Sequence, residues 1–423
     1  MVTRKLKIGL LGCGTVGSGL VELIKKNNSL IRQRAGVELS ITKILVRDLQ
    51  KERPEGVDRG LLTTQADKVI NNGCDLVVEL VGGIEPARGF IQRSLAGNKH
   101  VVTANKALLS IDGYSLMKAA EIQNVRLGFE ASVCGGIPII RALRNGLVGN
   151  QIQSLSGILN GTCNYILTRM TDDGLDFDAA LAGAQARGFA EADPTLDVDG
   201  HDAAQKLKIL AELAFNGRID AKHVETEGIR NITLQDVEAA CELGYVIKHV
   251  ATAEVVGDAI GLRVSPVFLP STHQLANIRD ENNAVLIRGD AVGEMLFSGK
   301  GAGSLPSASA VLSDIVDIAC HKGGFSVTPG TTVAAVVLEQ TGQHYVRFPV
   351  GDASAIGPVT TILERDGIGV ARAAAVWGKN GSVHHHVRVL TEQCSRTKLD
   401  ATVRHIASQE ISNGNGVVLR VGA

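Results

Sequence analysis

The sequence predicts an α/β protein built from three parts: an N-terminal Rossmann-type doubly wound sheet, a mixed α+β middle domain, and a C-terminal ferredoxin-like βαββαβ domain. Three observations predict it. A glycine-rich turn, Gly12-Cys13-Gly14-Thr15-Val16-Gly17, joins a short apolar run to a helical pattern. Apolar strand-like runs then alternate with helical segments through the first 130 or so residues, the signature of a parallel sheet covered by helices. The last eighty residues repeat a strand, helix, strand, strand, helix, strand order. At 423 residues and roughly 100–200 residues per domain, two or three domains are expected.

Taken in order, residues 6–11 read as a buried strand and residues 16–26 as the helix after the glycine turn. Residues 38–46 form a second strand ending at Arg47-Asp48, and residues 74–81 and 99–102 are further strands bounded by turn signals. These elements make a dinucleotide-binding domain over residues 1–131. From about Ser132 the alternation breaks at Gly135-Gly136 and Pro138. A mixed domain follows over residues 132–338, with a segment near 300–320 returning to the nucleotide domain. Residues 339–343 read as a linker. In the terminal domain, residues 345–423, strands are expected at 345–350, 369–376, 383–390 and 416–421, and helices at 356–366 and 398–411.

Composition narrows the function classes. Forty-three Lys and Arg face 44 Asp and Glu, for a formal net charge of −1. That balance offers no basic face for phosphates, so nucleic acid is not an expected partner. Aromatics are only 3%, which leaves Ala, Val, Ile and Leu to fill the cores. Seven cysteines lie scattered without CxxC spacing, against a disulfide framework or a zinc site and in keeping with a reducing cytoplasm. Arg4, Lys5 and Lys7 before an apolar run resemble an export signal, but Gly9 and Gly12 interrupt the apolar core that such a signal needs. No run approaches the ~18 apolar residues of a membrane span.

The glycine turn carries the first chemical expectation. Gly12 permits the tight turn, Gly14 lets the backbone approach a pyrophosphate, and Gly17 lets strand and helix pack closely. The helix opening at Thr15 and Val16 supplies unpaired N–H groups and a positive dipole end. Arg47 at the end of the second strand, with Lys51 and Arg53 behind it, suits the 2′-phosphate of NADP better than the ribose diol of NAD, although Asp48 keeps NAD open.

Two lysines and a run of carboxylates carry the second. Lys106, in Thr103-Ala104-Asn105-Lys106, follows a strand and so lies near the carboxyl edge of the sheet, where ligands of open α/β sheets bind. In a helix over residues 202–216, Ala203, Leu207, Leu210, Leu213 and Ala214 define the buried arc at about 100° per residue. Lys206 falls inside this arc, and Lys208 points to the opposite face. An inward lysine needs a partner, and Asp202 one turn earlier is the nearest. A plain i,i+4 pair, with Asp199 as the N-cap, accounts for Asp202 but not for the inward direction of Lys206. Glu191, Asp193, Asp197, Asp199 and Asp202 crowd the preceding loop. A calcium loop is excluded, because its register puts Lys206 where a bidentate glutamate is required. With Asp199 used as a cap, Glu191, Asp197 and Asp202 are left to receive a substrate ammonium or hydroxyl.

The motifs continue with Val78-Glu79-Leu80-Val81-Gly82-Gly83, Gly157-Ile158-Leu159-Asn160-Gly161-Thr162, Gly188-Phe189-Ala190-Glu191-Ala192-Asp193-Pro194, and Gly301-Ala302-Gly303 before Pro306-Ser307-Ala308-Ser309. In this order they resemble the homoserine dehydrogenases over almost the whole chain. The resemblance implies NAD(P)-dependent interconversion of L-homoserine and L-aspartate 4-semialdehyde, on the route to threonine, methionine and isoleucine. It makes the middle domain catalytic and dimerising. Lys106 and Lys206 would flank the reacting oxygen, with Lys206 usually taken as the acid or base. Glu191 and Asp202 would hold the substrate, with Asp197, Gly161 and Thr162 alongside. The cofactor set would be Gly12, Gly14, Thr15, Val16, Gly17, Arg47, Thr103, Lys106, Gly188 and Gly303. The resemblance also implies a monovalent cation such as sodium on backbone carbonyls at Val133, Gly135 and Ile137, close to Glu130.

The terminal βαββαβ unit is similar to an ACT domain, which implies amino-acid sensing, threonine as effector and a homo-oligomer, dimer or tetramer. Its first turn reads Asp352-Ala353-Ser354-Ala355-Ile356-Gly357 where such domains commonly carry Pro-Gly, so fold and effector binding are separate expectations. His384-His385-His386 lies on an expected strand, more in keeping with an exposed or dimer-facing strand than with a metal site. Two rival functions remain at this point: a non-catalytic amino-acid sensor, which needs neither lysine, and a dehydrogenase of another small hydroxy or semialdehyde compound.

Overall fold

The computed structural model describes residues 4–321, 330, 335–336, 341–376 and 385–422. The first sheet has six parallel strands in the order Leu62–Thr63, Val37–Leu45, Arg4–Leu11, Leu76–Glu79, His100–Thr103, Leu127–Gly128. The strand order reverses between Arg4–Leu11 and Leu76–Glu79, and the glycine turn leaves the carboxyl end of the first of these, at the switch point where such sheets bind ligands. Leu6, Ile8 and Leu10 are buried together with Ala308, Val311 and Ile315 of a helix, Ser304–Cys320, contributed from far along the chain.

The helix after the glycine turn runs Thr15–Ala35, nine residues past its expected end. Asn28 looks like a breaker in sequence, but its side chain exchanges two hydrogen bonds with the backbone of Leu39, at 2.9 and 3.0 Å. The helix stops where Gly36 turns left-handed.

The second sheet contains nine strands along one path. They run Gly293–Lys300, Asn282–Gly289, Ile152–Ile158, Tyr245–Val256, Ala259–Pro270, Val417–Val421, His344–Val350, His385–Thr391, Val370–Val376. The helix His201–Ala214 packs into the core that includes Leu155, Ala251 and Leu262 of this sheet.

The terminal unit shows the expected βαββαβ order, with helices Ile356–Arg365 and Arg396–Ser408 and its own core of Val346, Phe348, Val359, Leu363, Leu399 and Ile406. It is not a separate sheet, however. Its last strand also pairs in parallel with Ala259–Pro270, Val267 opposite Arg420 and Phe268 opposite Val421, so the sheet runs on from the middle domain. Phe268 and Tyr345 stack with ring centroids 4.7 Å apart. Fully buried Asp236 accepts from Tyr345 Oη at 3.0 Å and Arg347 Nε at 2.7 Å. The expected linker is corrected in the same sense: Thr341–Gly342 is a short strand paired with Cys394–Ser395, while residues 339–340 lie outside the described residues. Neither pairing leaves a trace in local alternation, because each is made across long separations. His384 also lies outside the described residues; His385 opens its strand and His386 is buried.

Candidate active site

The glycine turn has the geometry its residue types imply. Gly12 has φ +101°, and a Cβ on it would lie 2.6 Å from the Leu80 carbonyl oxygen. A Cβ on Gly17 would overlap the Gly12 carbonyl, whereas one on Gly14 would meet nothing within 4 Å. Gly14 is thus the open side of the turn, and no side chain caps the helix there. The first-turn N–H groups, including those of Thr15, Val16 and Gly17, are thereby left for an external acceptor such as a pyrophosphate. Arg53 docks on this turn, donating to the Cys13 carbonyl at 2.7 Å and the Asp48 carbonyl at 3.0 Å. Arg47 is exposed. Gly303 precedes the Ser304–Cys320 helix, and Ser304 Oγ donates to the Thr15 carbonyl at 2.8 Å, so the late loop closes on the turn.

Lys106 opens the helix Lys106–Ile122 on a rigid platform. Thr103 Oγ1 donates to Glu79 Oε2 at 2.7 Å, while Glu79 Oε1 accepts the N–H groups of Val81 and Gly82 at 2.7 and 3.0 Å. Asn105 caps the helix through Leu108 N at 3.1 Å and donates to the Gly83 carbonyl at 2.6 Å. Glu79 is fully buried and ties together the carboxyl ends of two neighbouring strands. Thr103 therefore supports the platform with its hydroxyl.

The two lysines meet on one carboxylate. Asp202 Oδ1 lies 3.3 Å from Lys106 Nζ, and Asp202 Oδ2 lies 2.6 Å from Lys206 Nζ. Lys206 also donates to the Leu159 carbonyl at 2.8 Å. Asn160 Nδ2 spans two carboxylates, Asp197 Oδ1 at 2.7 Å and Asp202 Oδ2 at 2.9 Å. Asn160 also caps the helix Gly161–Asp173 through Cys163 N. Burial works to raise the pKa of Asp202, but the charges of Lys206 and then Lys106 outweigh it and hold the acid below its ordinary value. Burial likewise works to lower the pKa of Lys206, and the Asp202 charge overrides it, so the ammonium is held above its usual range. Asp197 moves the other way, raised chiefly by burial.

The cap and the far face of the helix His201–Ala214 differ from expectation. Asp199 is not the N-cap: Gly200 holds that position without a side-chain bond, and Asp199 instead pairs with Arg230. Lys208 does leave on the far side of the helix from Lys206, yet it is buried there, paired with Glu212 at 2.7 Å. Glu191 is exposed, and its backbone carbonyl accepts from Gln185 Nε2 at 3.1 Å. Its carboxylate is not drawn into the cluster. Gly188 sits left-handed in the same turn, which Thr162 Oγ1 anchors through the Phe189 carbonyl at 2.7 Å. Gly161 packs so that a Cβ would lie 2.6 Å from the Glu281 carbonyl oxygen.

The carbonyl loop at Val133, Gly135 and Ile137 folds against the Lys300-Gly301 backbone, with Gly136 N donating to the Lys300 carbonyl at 3.0 Å. Ile137 O already accepts from Ile139 N at 2.8 Å. The Glu130 carboxylate is occupied by the N–H groups of Ile140 and Arg141, at 2.8 and 2.9 Å, and burial raises its pKa. Among the described residues no three His, Cys, Asp or Glu side chains form a metal-binding group. No helix there is long and apolar enough to cross a membrane.

Asn160 and Glu79 were assigned no role from sequence, and Arg53 was read only as part of the basic group behind Arg47, not as a brace on the Cys13 carbonyl. Asn160 and Glu79 stand inside the quoted motifs, but their roles depend on partners tens of residues away.

Comparison with known proteins agrees with this geometry. The homoserine dehydrogenase family model matches residues 138–316, and the model for the homoserine dehydrogenase NAD binding domain matches residues 12–130. A homoserine dehydrogenase of Synechocystis sp. is 43% identical over 353 residues, 82% of this chain and 80% of that protein. The crystal structure of a homoserine dehydrogenase from Thiobacillus denitrificans superposes with a TM-score of 0.90 at 38% identity, covering 99% of this chain and 98% of that one. A hyperthermophilic archaeal homoserine dehydrogenase in complex with NADPH gives a TM-score of 0.63 at 27% identity, over 75% of this chain and 98% of that one. On the strength of these matches, and of a glycine turn and a lysine-carboxylate cluster that suit nicotinamide oxidoreduction, the chain belongs to the homoserine dehydrogenase family.

Proposed function

We propose that the Lys106, Asp202 and Lys206 cluster carries the interconversion of L-homoserine and L-aspartate 4-semialdehyde, with Lys206 as the proton carrier. The observation behind this is the buried carboxylate shared between lysines from two different domains. A bound nicotinamide supplies or accepts the hydride. Lys206 spends two of its three N–H donors on Asp202 and Leu159, which leaves one for the substrate oxygen. Held protonated by Asp202, it is set to give a proton to the alkoxide that forms as the semialdehyde is reduced. In the oxidative direction, a substrate ammonium drawn to Asp202 weakens that carboxylate's hold on the Lys206 proton and helps Lys206 to act as base. Asp197, Gly161, Thr162 and the Glu191 turn complete the substrate side. Glu191 reaches the substrate only if its exposed turn closes.

NADP is the preferred cofactor in this reading, with NAD as the alternative. The glycine turn fits a pyrophosphate through its open Gly14 side; this reading assigns Thr103, Lys106, Gly188 and Gly303 to the nicotinamide end and the exposed Arg47 to a 2′-phosphate. A sodium-like cation suits the carbonyls of Val133 and Gly135, to which no N–H or hydroxyl among the described residues donates. Ile137 would have a second lone pair to offer, and Glu130 its backbone. The terminal unit serves as an ACT-like regulatory domain responsive to threonine, in a homodimer or homotetramer working in the cytoplasm.

The test is reduced-nicotinamide absorbance with purified protein, NADP or NAD, and a panel of small hydroxy acids and amino alcohols beside L-homoserine. The reading expects turnover with homoserine above the rest of the panel and a higher kcat/KM with NADP. Turnover only with another compound would overturn it.

A further inference from the structure

We propose that Asn283 is a positioning residue for Lys206, acting through the Leu159 carbonyl; this rests on Lys206 being the proton carrier. Asn283 lies on the strand Asn282–Gly289 and is 1% exposed. The next residue, Ala284, stands opposite Ile158 in the antiparallel ladder, which brings the Asn283 carboxamide against the chain where it leaves that strand at Leu159. Asn283 Nδ2 donates to the Leu159 carbonyl at 2.9 Å, the same oxygen that accepts Lys206 Nζ at 2.8 Å. Both lone pairs of that oxygen are thereby used, one by the lysine and one by the amide that fixes its direction.

The carboxamide has no freedom to turn away. A Cβ on Gly301 would overlap its Oδ1 and Cγ, and one on Gly161 would lie 3.4 Å from Oδ1. Two glycines from separate segments thus make the slot that aims Nδ2. The Oδ1 atom is buried without a hydrogen-bond partner. A buried, unpaired amide oxygen costs stability, so a residue kept here for packing alone would be apolar, such as leucine. The polar choice is accounted for by the donors of Nδ2, one to the Leu159 carbonyl and a longer one, at 3.6 Å, to Cys134 Sγ.

The consequence falls on the third N–H of Lys206. With Asp202 Oδ2 and Leu159 O fixed, that remaining donor has a set direction, and proton transfer is sensitive to misplacement on the scale of an ångström. The titratable groups facing Lys206 are Asp202 on its own helix, Lys106 and Asp197 across the cluster, and the thiols of Cys134 and Cys163, whose pKa burial raises.

Steady-state kinetics over pH on wild type, Asn283→Leu, Asn283→Ser and Lys206→Ala test this. Asn283→Leu keeps the branched shape, with bulkier methyl groups, and removes the orphan oxygen; Asn283→Ser is small enough to be accommodated if leucine is not. Each is expected to lower kcat about 10- to 100-fold with the nicotinamide KM within about twofold. Each should also move the lysine limb of the pH profile down by about half a pH unit, because an acceptor favouring the ammonium is no longer held in place. A folded variant with wild-type kcat, or with an unmoved limb and a raised nicotinamide KM, would overturn the proposal. Should Lys206→Ala itself turn over like wild type, the proton-carrier reading fails instead, and the two failures are told apart by that variant.

Discussion

Asp202 is the residue on which the site balances. It is buried, yet its acidity is enhanced because two ammonium groups face it, and Lys206 in turn holds its proton more tightly. The signs give a pH window. A carboxylate whose folded pKa is depressed stabilises the fold above its unfolded value near about 3.9, and that contribution is lost as pH falls through the folded pKa. A lysine whose folded pKa is raised stabilises below about 10.4 and loses that contribution as pH rises through its folded value. The pair is therefore fully present between about pH 4 and 10. Asp202→Asn strands a buried ammonium and should cost about 3–5 kcal/mol in this window. In urea unfolding, the difference from wild type should be largest from about pH 5 to 7, shrink below about pH 4, and shrink again as pH rises toward 10, where the stranded lysine is relieved by losing its proton; a difference unchanged at acid pH would place the stabilisation elsewhere. The inward direction of Lys206 was legible from the arc of Ala203, Leu207 and Leu210. The span of Asn160 between Asp197 and Asp202 was not, because an asparagine carries no charge pattern and its partners arrive from a different helix.

Among the elements, the glycine turn makes the sharpest separation between binding and folding. Gly14→Ala meets no neighbour and should leave stability within about 0.5 kcal/mol. The added methyl would stand on the side where a pyrophosphate approaches, so the nicotinamide KM should rise about tenfold or more. Gly17→Ala collides with the Gly12 carbonyl and should lower the thermal midpoint as well. Equal stability losses in the two variants would show that the open side is not a ligand face. Arg47→Asp should shift the kcat/KM ratio from NADP toward NAD. An unchanged ratio would move the 2′ reading elsewhere, and Arg53 is already engaged with Cys13 and Asp48. At this scale the sequence was a good guide wherever apolar period and turn residues agreed, as in Arg4–Leu11 and His100–Thr103. It misjudged the end of Thr15–Ala35, where one asparagine is satisfied by a neighbouring strand, and it took Asp199 for a cap that Gly200 replaces by backbone geometry alone.

For the whole molecule, the continuity of the second sheet changes what the terminal unit is. Local pattern showed its βαββαβ order but not that Val417–Val421 also pairs with Ala259–Pro270, or that Tyr345 and Arg347 satisfy buried Asp236. Removing residues from 344 onward should therefore strand a buried carboxylate and expose Phe268, lowering the thermal midpoint of what remains by several degrees or causing aggregation. A truncated chain as stable as the full one would restore the picture of an appended module. The lysine-carboxylate cluster has the same whole-molecule character. Lys106 comes from the helix that follows a strand of the first sheet, Asp202 and Lys206 from a helix on the other sheet, and Ser304–Cys320 packs on the first sheet from far along the chain. The central claim is that the lysine so assembled moves the proton. It is tested most directly by kcat for homoserine oxidation in Lys206→Ala beside nicotinamide affinity measured by fluorescence. A fall in kcat of about 10²–10⁴ with affinity nearly unchanged is the predicted result; turnover at the wild-type rate would contradict it.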